Sequence, residues 1–196
     1  MKTLKKILVT FIILIAAGNV WGIEPKDFRG VPFDASLAQA REKLPYLRCP
    51  SMQDYKGIWF DNETVIRRAE QLEVVICNED DSYIGPVNIN IMYTFRHNKM
   101  VTVYISFKSS DYNYLKDVYI KKYGKPLSTK TNIIQTEMSV KYVNESIQWG
   151  GKNVLIELEK YAGTIGSGSI FYITTKELSR INKESEESKE KAIKDI

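Results

Sequence analysis

The stretch Val87-Asn-Ile-Asn-Ile-Met-Tyr-Thr-Phe95, with Val101-Thr-Val-Tyr-Ile-Ser-Phe107 close behind it, decides the fold class. In both segments apolar residues alternate with polar ones. Successive side chains of a strand point to opposite faces, so a period of two marks a strand with one buried face. Two such segments in tandem read as an antiparallel hairpin, whose opposed residues must share a face. A two-residue loop would set apolar against polar. An odd loop at His97-Asn98-Lys99 is therefore expected, with Phe95 opposite Val101 and Tyr93 opposite Val103. One sheet face is then apolar and the other rich in Asn, Thr and Ser. That is an antiparallel sheet solvated on one side, not a parallel sheet covered on both.

Upstream, Ser36 and Gln39 fit a capping box, and Leu37, Ala40 and Leu44 share a helical face. Pro45 stops that helix. Residues 45–85 read as irregular, with short strand candidates at 57–60 and 72–77. Downstream, Ser110 or Asp111 caps a second helix with a stripe of Tyr112, Leu115, Val118 and Tyr119. Lys121 and Lys122 suit its negative end, Gly124 ends it and Pro126 prevents continuation. A two-residue turn at Gly150-Gly151 would pair Ile147 with Val154 and Val143 with Leu158. A last strand is expected at 169–174. Phe33-Asp-Ala-Ser36 opens the first helix and Phe107-Lys-Ser-Ser110 the second, an echo that suggests a tandem helix-then-sheet layout. The expected fold is α+β: antiparallel sheet with two main helices packed on one face.

The ends have different character. Lys2, Lys5 and Lys6 precede an uncharged apolar run at 7–17, and small residues follow up to Gly22. This is the plan of a secretory signal peptide. The run has 11 residues, against roughly 20 needed to span a bilayer. Residues 1–22 are assigned to the signal, of a short lysine-rich bacterial kind, 23–177 to the exported domain and 178–196 to a charged helical or disordered tail. The tail carries Asn182-Lys-Glu-Ser-Glu-Glu-Ser-Lys-Glu-Lys191, with no apolar side chain to bury.

Charge and cysteine follow from that division. The chain has 28 Lys+Arg against 24 Asp+Glu; the signal holds three Lys and no acid, so the remainder is near neutral at +1. That argues against nucleic-acid binding, which needs a basic field. In an oxidising compartment the two cysteines, Cys49 and Cys77, are most simply one disulfide. One His and two Cys do not make a four-ligand zinc site, and neither a metal nor a cofactor is expected.

Each chemical motif has a plain reading beside it. His97 reads as an exposed turn residue rather than a general base. Glu79-Asp80-Asp81 reads as a solvated acidic loop, since its spacing does not match a calcium loop. The glycines 163, 166 and 168 precede a strand, not a helix whose N-terminus could hold phosphate. Asn62-Glu-Thr64 and Asn144-Glu-Ser146 match the glycosylation pattern and matter only in a eukaryotic secretory pathway. Tyrosine is the most suggestive residue, because it offers a rigid contact and a polar tip. Tyr104, with Met92 opposite it on the polar sheet face, and Tyr114, off the helix stripe, are the candidate binding residues. No catalytic residue is assigned.

Phe28-Arg-Gly-Val-Pro-Phe33, Lys122-Tyr-Gly-Lys-Pro126 and Trp149 form a pattern that resembles small exported bacterial α+β domains of unknown function. The resemblance implies an exported domain and no catalytic residue. The tandem layout is similar to the β-lactamase-inhibitor-protein architecture at the level of fold. The expected function is a non-catalytic periplasmic or secreted binding protein that recognises a protein or cell-envelope component, a hydrolase inhibitor being one form. A carboxylate-based cell-wall glycan hydrolase is the alternative from another class, and a structural envelope component the third.

Overall fold

The computed structural model describes residues 24–51, 54, 69–136 and 139–194. The leader, the strand candidate at 57–60 and the Asn62 pattern lie outside the described residues. A short pair, β1 (Asp27–Phe28) and β2 (Val31–Pro32), precedes helix α1 (Leu37–Lys43). Strands β3 (Val74–Ile84), β4 (Val87–Arg96) and β5 (Lys99–Lys108) follow. Helix α2 (Tyr112–Tyr123) leads to β6 (Ser128–Gln135), β7 (Lys141–Gly150), β8 (Val154–Glu159) and β9 (Ser167–Thr174), and helix α3 (Thr175–Lys194) ends the chain. The long strands form one seven-stranded antiparallel sheet in the order β3-β4-β5-β9-β8-β7-β6. The fold is α+β. A helix is followed by a run of antiparallel strands twice, and the two runs merge where β5 pairs with β9.

Parity sets the core. The register aligns Tyr93, Val103, Tyr172, Ile156 and Trp149 in one row across the sheet, and Ile91, Ile105, Ile170, Leu158 and Ile147 in the next. All ten are buried, in one cluster with Ala40 and Leu44 of the α1 segment and Leu115, Tyr119 and Tyr123 of α2. Both helices thus cover one sheet face, and each large side chain buried there contributes about 1.5–3 kcal/mol.

The first hairpin turns in two residues, not three. Arg96 pairs with Lys99, and His97 and Asn98 take φ of 47° and 57°, the left-handed values a primed turn requires. Parity is restored by a bulge: Thr94 faces Thr102, then Phe95 faces Met100, and Val101 is the extra residue. Tyr93 faces Val103 as expected.

The second hairpin departs from its expected register. Ile147 pairs with Leu158, Trp149 with Ile156 and Gly150 with Leu155. The Gly151 N–H donates to the Val154 carbonyl at 3.0 Å, so the chain reverses at Lys152-Asn153, beyond the two glycines. The Trp149 indole N–H donates to the Gly124 carbonyl at 2.9 Å, so the indole is fixed against the end of α2. Val143 consequently runs past β8 and is 62% exposed.

The helix signals translate closely. Ser36 and Gln39 make both bonds of the capping box, and Asn98 Oδ1 accepts the Leu37 N–H at 3.0 Å. Asp111 takes the N-cap position of α2 without a side-chain cap bond; a 3-10 turn at Ser109–Asp111 leads in instead. Gly124 follows with φ of 79°, which a residue with a Cβ adopts only at a cost.

The acidic run 79–81 lies in β3 rather than in a loop. A bulge between Glu79 and Ser82, with Asp81 at φ 52°, reorients the strand. Glu79 then accepts hydrogen bonds from Arg29 and, at 2.7 Å, from the Tyr93 hydroxyl. The tail is helical from Thr175, and Glu177 and Leu178 are buried, so its first turn belongs to the domain. Arg180 bonds Glu177 and Glu184, while residues 186–193 are exposed. Cys49 and Cys77 are joined in a disulfide. Among the described residues no helix is long and apolar enough to cross a membrane.

Candidate functional site

The sheet face away from α1 and α2 carries the alternate residues of the same strands. Its middle row aligns Met92, Tyr104, Phe171, Glu157 and Gln148 across five strands. The next row aligns Asn90, Ser106, Ser169, Glu159 and Ser146. Met92 and Tyr104 stand directly opposite each other, both half-buried. The Tyr104 and Phe171 rings meet edge-on with centroids 6.4 Å apart, a favourable aromatic geometry. Burial pushes the Tyr104 hydroxyl above its ordinary range; a bond with Ser169 works against that, and the Glu159 charge adds to it.

Two carboxylates border this aromatic centre. Glu157 accepts from the Ser146 hydroxyl at 2.6 Å and from the Gln148 amide at 3.5 Å. Glu159 accepts from Asn144 Nδ2 at 2.9 Å. Burial raises the Glu159 pKa first, the nearby Glu157 charge raises it further, and the Asn144 bond partly offsets both. Asn144 is itself buried, with its carbonyl accepting the Tyr161 N–H at 2.9 Å, which leaves its amide no room for a glycan. At the far end of the face, α3 packs across Arg96, which donates to Glu177 at 3.1 Å.

Tyr114 is not part of this surface. It is 43% exposed on α2, on the opposite side of the sheet, where its hydroxyl lies against the Gly85 turn so closely that a Cβ there would clash. The fold therefore unites Met92 with Tyr104 and separates Tyr114 from them. Phe171, Glu157 and Glu159 were not legible as site residues. Glu157 and Glu159 did alternate with Ile156 and Leu158, a signal that placed them off the core. Phe171 sits in Ile170-Phe-Tyr-Ile173, apolar on both parities, so alternation could not assign its face.

A concavity of about 350 Å³ lies between the N-terminal segment and the start of α3, lined by Glu24, Lys26, Asp34, Asn153, Thr174 and Lys176 among others. Glu24 accepts the backbone N–H groups of Asn153 and, at 2.9 Å, of Val154. This clasp satisfies the β7–β8 loop and pins the N-terminal segment to the sheet. His97 is an exposed turn residue, with Nδ1 3.3 Å from Glu73. Among the described residues no group of three His, Cys, Asp or Glu is arranged to hold a metal ion.

No protein-family model matches the chain, and searches of curated proteins and of solved structures give no match. What defines the class is thus the molecule itself: a disulfide-stapled α+β protein with one helix-covered sheet face and one polar, aromatic face.

Proposed function

We propose that this is an exported binding protein that recognises a protein or cell-envelope component through the sheet face centred on Tyr104. The single observation that carries the reading is the contiguous Met92–Tyr104–Phe171 group with carboxylates beside it. Such a group offers the aromatic and thioether contact area that recognition surfaces favour. The leader pattern at 1–22 and the disulfide support an oxidising, periplasmic or extracellular setting. Inhibition of an extracellular or periplasmic hydrolase is one form the activity takes.

A glycan hydrolase reading is favoured by one feature, the raised pKa of Glu159 beside Glu157. Glycosidases use one carboxyl kept protonated and one ionised, flanking the scissile bond. Here both acids lie on one strand, at alternate positions of one sheet face, each held by neighbouring side chains. That arrangement suits a surface better than a cleft with acids on either side.

The test is affinity capture from an envelope extract with the mature protein and with a Tyr104→Ala/Phe171→Ala variant. A stoichiometric partner recovered by the first and lost by the second is expected. Hydrolysis of a cell-wall glycan that disappears in Glu159→Gln would replace binding by catalysis.

A further inference from the structure

The two edges of the sheet are treated differently. On the β3 edge, Arg48 exchanges backbone hydrogen bonds with Asn78, at 3.0 and 2.7 Å, and the bulge with Asp81 at φ 52° follows close by. Such devices stop an edge from recruiting further strands. Among the described residues, the β6 edge has neither. Its residues pair with β7 from Ser128–Gln148 to Gln135–Lys141 without a register shift. The strand contains no proline, and Lys130 is its one charge.

Backbone direction on β6 follows from two bonds. The Thr136 N–H donates to the Val140 carbonyl at 3.0 Å, while on the other side of β7 the Lys160 N–H donates to Glu145 at 2.9 Å. Bonding direction alternates along antiparallel strands. Residues 130, 132 and 134 therefore turn their backbone groups to β7, and Thr129, Thr131, Ile133 and Gln135 turn theirs outward. Beside this row sits an unmatched apolar pair: Ile133, 67% exposed, opposite Val143, 62% exposed. Leu127 at 53% and Val140 at 45% flank it, so four of the ten large exposed hydrophobics among the described residues fall on or beside this hairpin.

We propose that β6 pairs with β6 of a second copy of the chain, antiparallel about a two-fold axis through Asn132, joining the two sheets into one. In this register Thr131 faces Ile133 of the second copy, Thr129 faces Gln135, and Lys130 faces Ile134. The outward-turned residues oppose one another, as a bonded ladder requires. The whole strand is used, and the two Lys130 side chains are not apposed. The two Ile133 residues become diagonal neighbours, roughly 7–8 Å apart, so both Ile133–Val143 pairs merge into one apolar patch. A symmetric C2 contact of this kind is self-complementary, which is the reason for choosing a second copy over a foreign strand. The proposal does not depend on the binding reading, because it uses the edge and leaves the Tyr104 face open.

Sedimentation of the mature protein over micromolar to high micromolar concentration tests it. A dimer is expected. Thr131→Pro removes an outward N–H and no β7 bond, so it should weaken the dimer by roughly tenfold or more while the melting temperature of the monomer holds. Asn132→Cys should crosslink two copies on mild oxidation, because directly opposed residues of a non-bonded pair approach within disulfide reach. A wild-type monomer at every concentration overturns the proposal, including the case where a foreign strand occupies β6. So does a dimer that survives Thr131→Pro and gives no crosslink with Asn132→Cys.

Discussion

Arg96 Nε donates to Glu177 Oε1 at 3.1 Å, and this bond ties the end of β4 to the first turn of α3. The side chains are only 13% and 7% exposed, and Arg96 Nη1 is buried with no hydrogen-bond partner among the described residues. Breaking a buried pair from one side leaves an uncompensated charge. Glu177→Ala should therefore cost on the order of 3 kcal/mol in denaturant unfolding, whereas Arg96→Met/Glu177→Leu together should recover most of that. Equal losses in the single and double variants would show that the charge is not what matters.

The same carboxyl makes α3 acid-sensitive. Burial acts to raise its pKa, but the bonds and charges of Arg180 and Arg96 outweigh burial and hold it below the usual glutamate range. A group with a depressed folded pKa adds stability at neutral pH, lost as pH falls through the folded value. Proteolysis within 178–194 should accelerate on acidification before the core unfolds, and this difference should vanish in Arg96→Met/Glu177→Leu.

Glu159 gives the opposite sign. Its folded pKa is raised, so its contribution is fully present in acid and is lost as pH rises through the folded value. Glu159→Gln keeps an acceptor for Asn144 and removes the charge beside Glu157. Its melting temperature should exceed that of the wild type at neutral pH, and the gap should close in acid. A gap independent of pH would contradict the assignment.

Tyr172 is the hub of a buried phenol cluster. Its hydroxyl is 2.7 Å from that of Tyr119 and 3.4 Å from that of Tyr123. Tyr172→Phe strands both partners and should cost about 2–3 kcal/mol, while Tyr123→Phe removes one long bond and should cost under about 1 kcal/mol. Urea unfolding of the two variants ranks them directly.

The disulfide joins residues 28 apart in sequence and ties the segment that follows α1 to β3. Cys49→Ala/Cys77→Ala should lose about 2–4 kcal/mol, or roughly 5–15 °C of melting temperature. Thiol titration of the untreated, denatured protein should find no free thiol.

Much of this fold could be read locally. The alternation of 87–95 and 101–107 fixed the faces of β4 and β5, and hence that Met92 and Tyr104 share one. Ser36 with Gln39 and Gly124 marked helix ends, because a cap is a contact between near neighbours. The turn length at His97 is not set by parity, which admits two solutions, an odd loop or an even loop plus a bulge. The β7–β8 register is not set locally, because Val143, Ile147 and Trp149 all favour burial and only the docking of Trp149 on α2 selects among them.

By itself the sequence determined the class, α+β with an antiparallel sheet polar on one side, together with the helix caps and the cysteine pair. These depend on side-chain period and short-range bonds. Tertiary structure decided the strand order that inserts β9 between β5 and β8, the gathering of Tyr104, Phe171, Glu157 and Glu159, and the separation of Tyr114 from them. It also decided that, among the described residues, the bulge and the added backbone pairing fall on the β3 edge and not on β6. Strand order depends on which distant apolar faces fit together, and no local pattern encodes that choice.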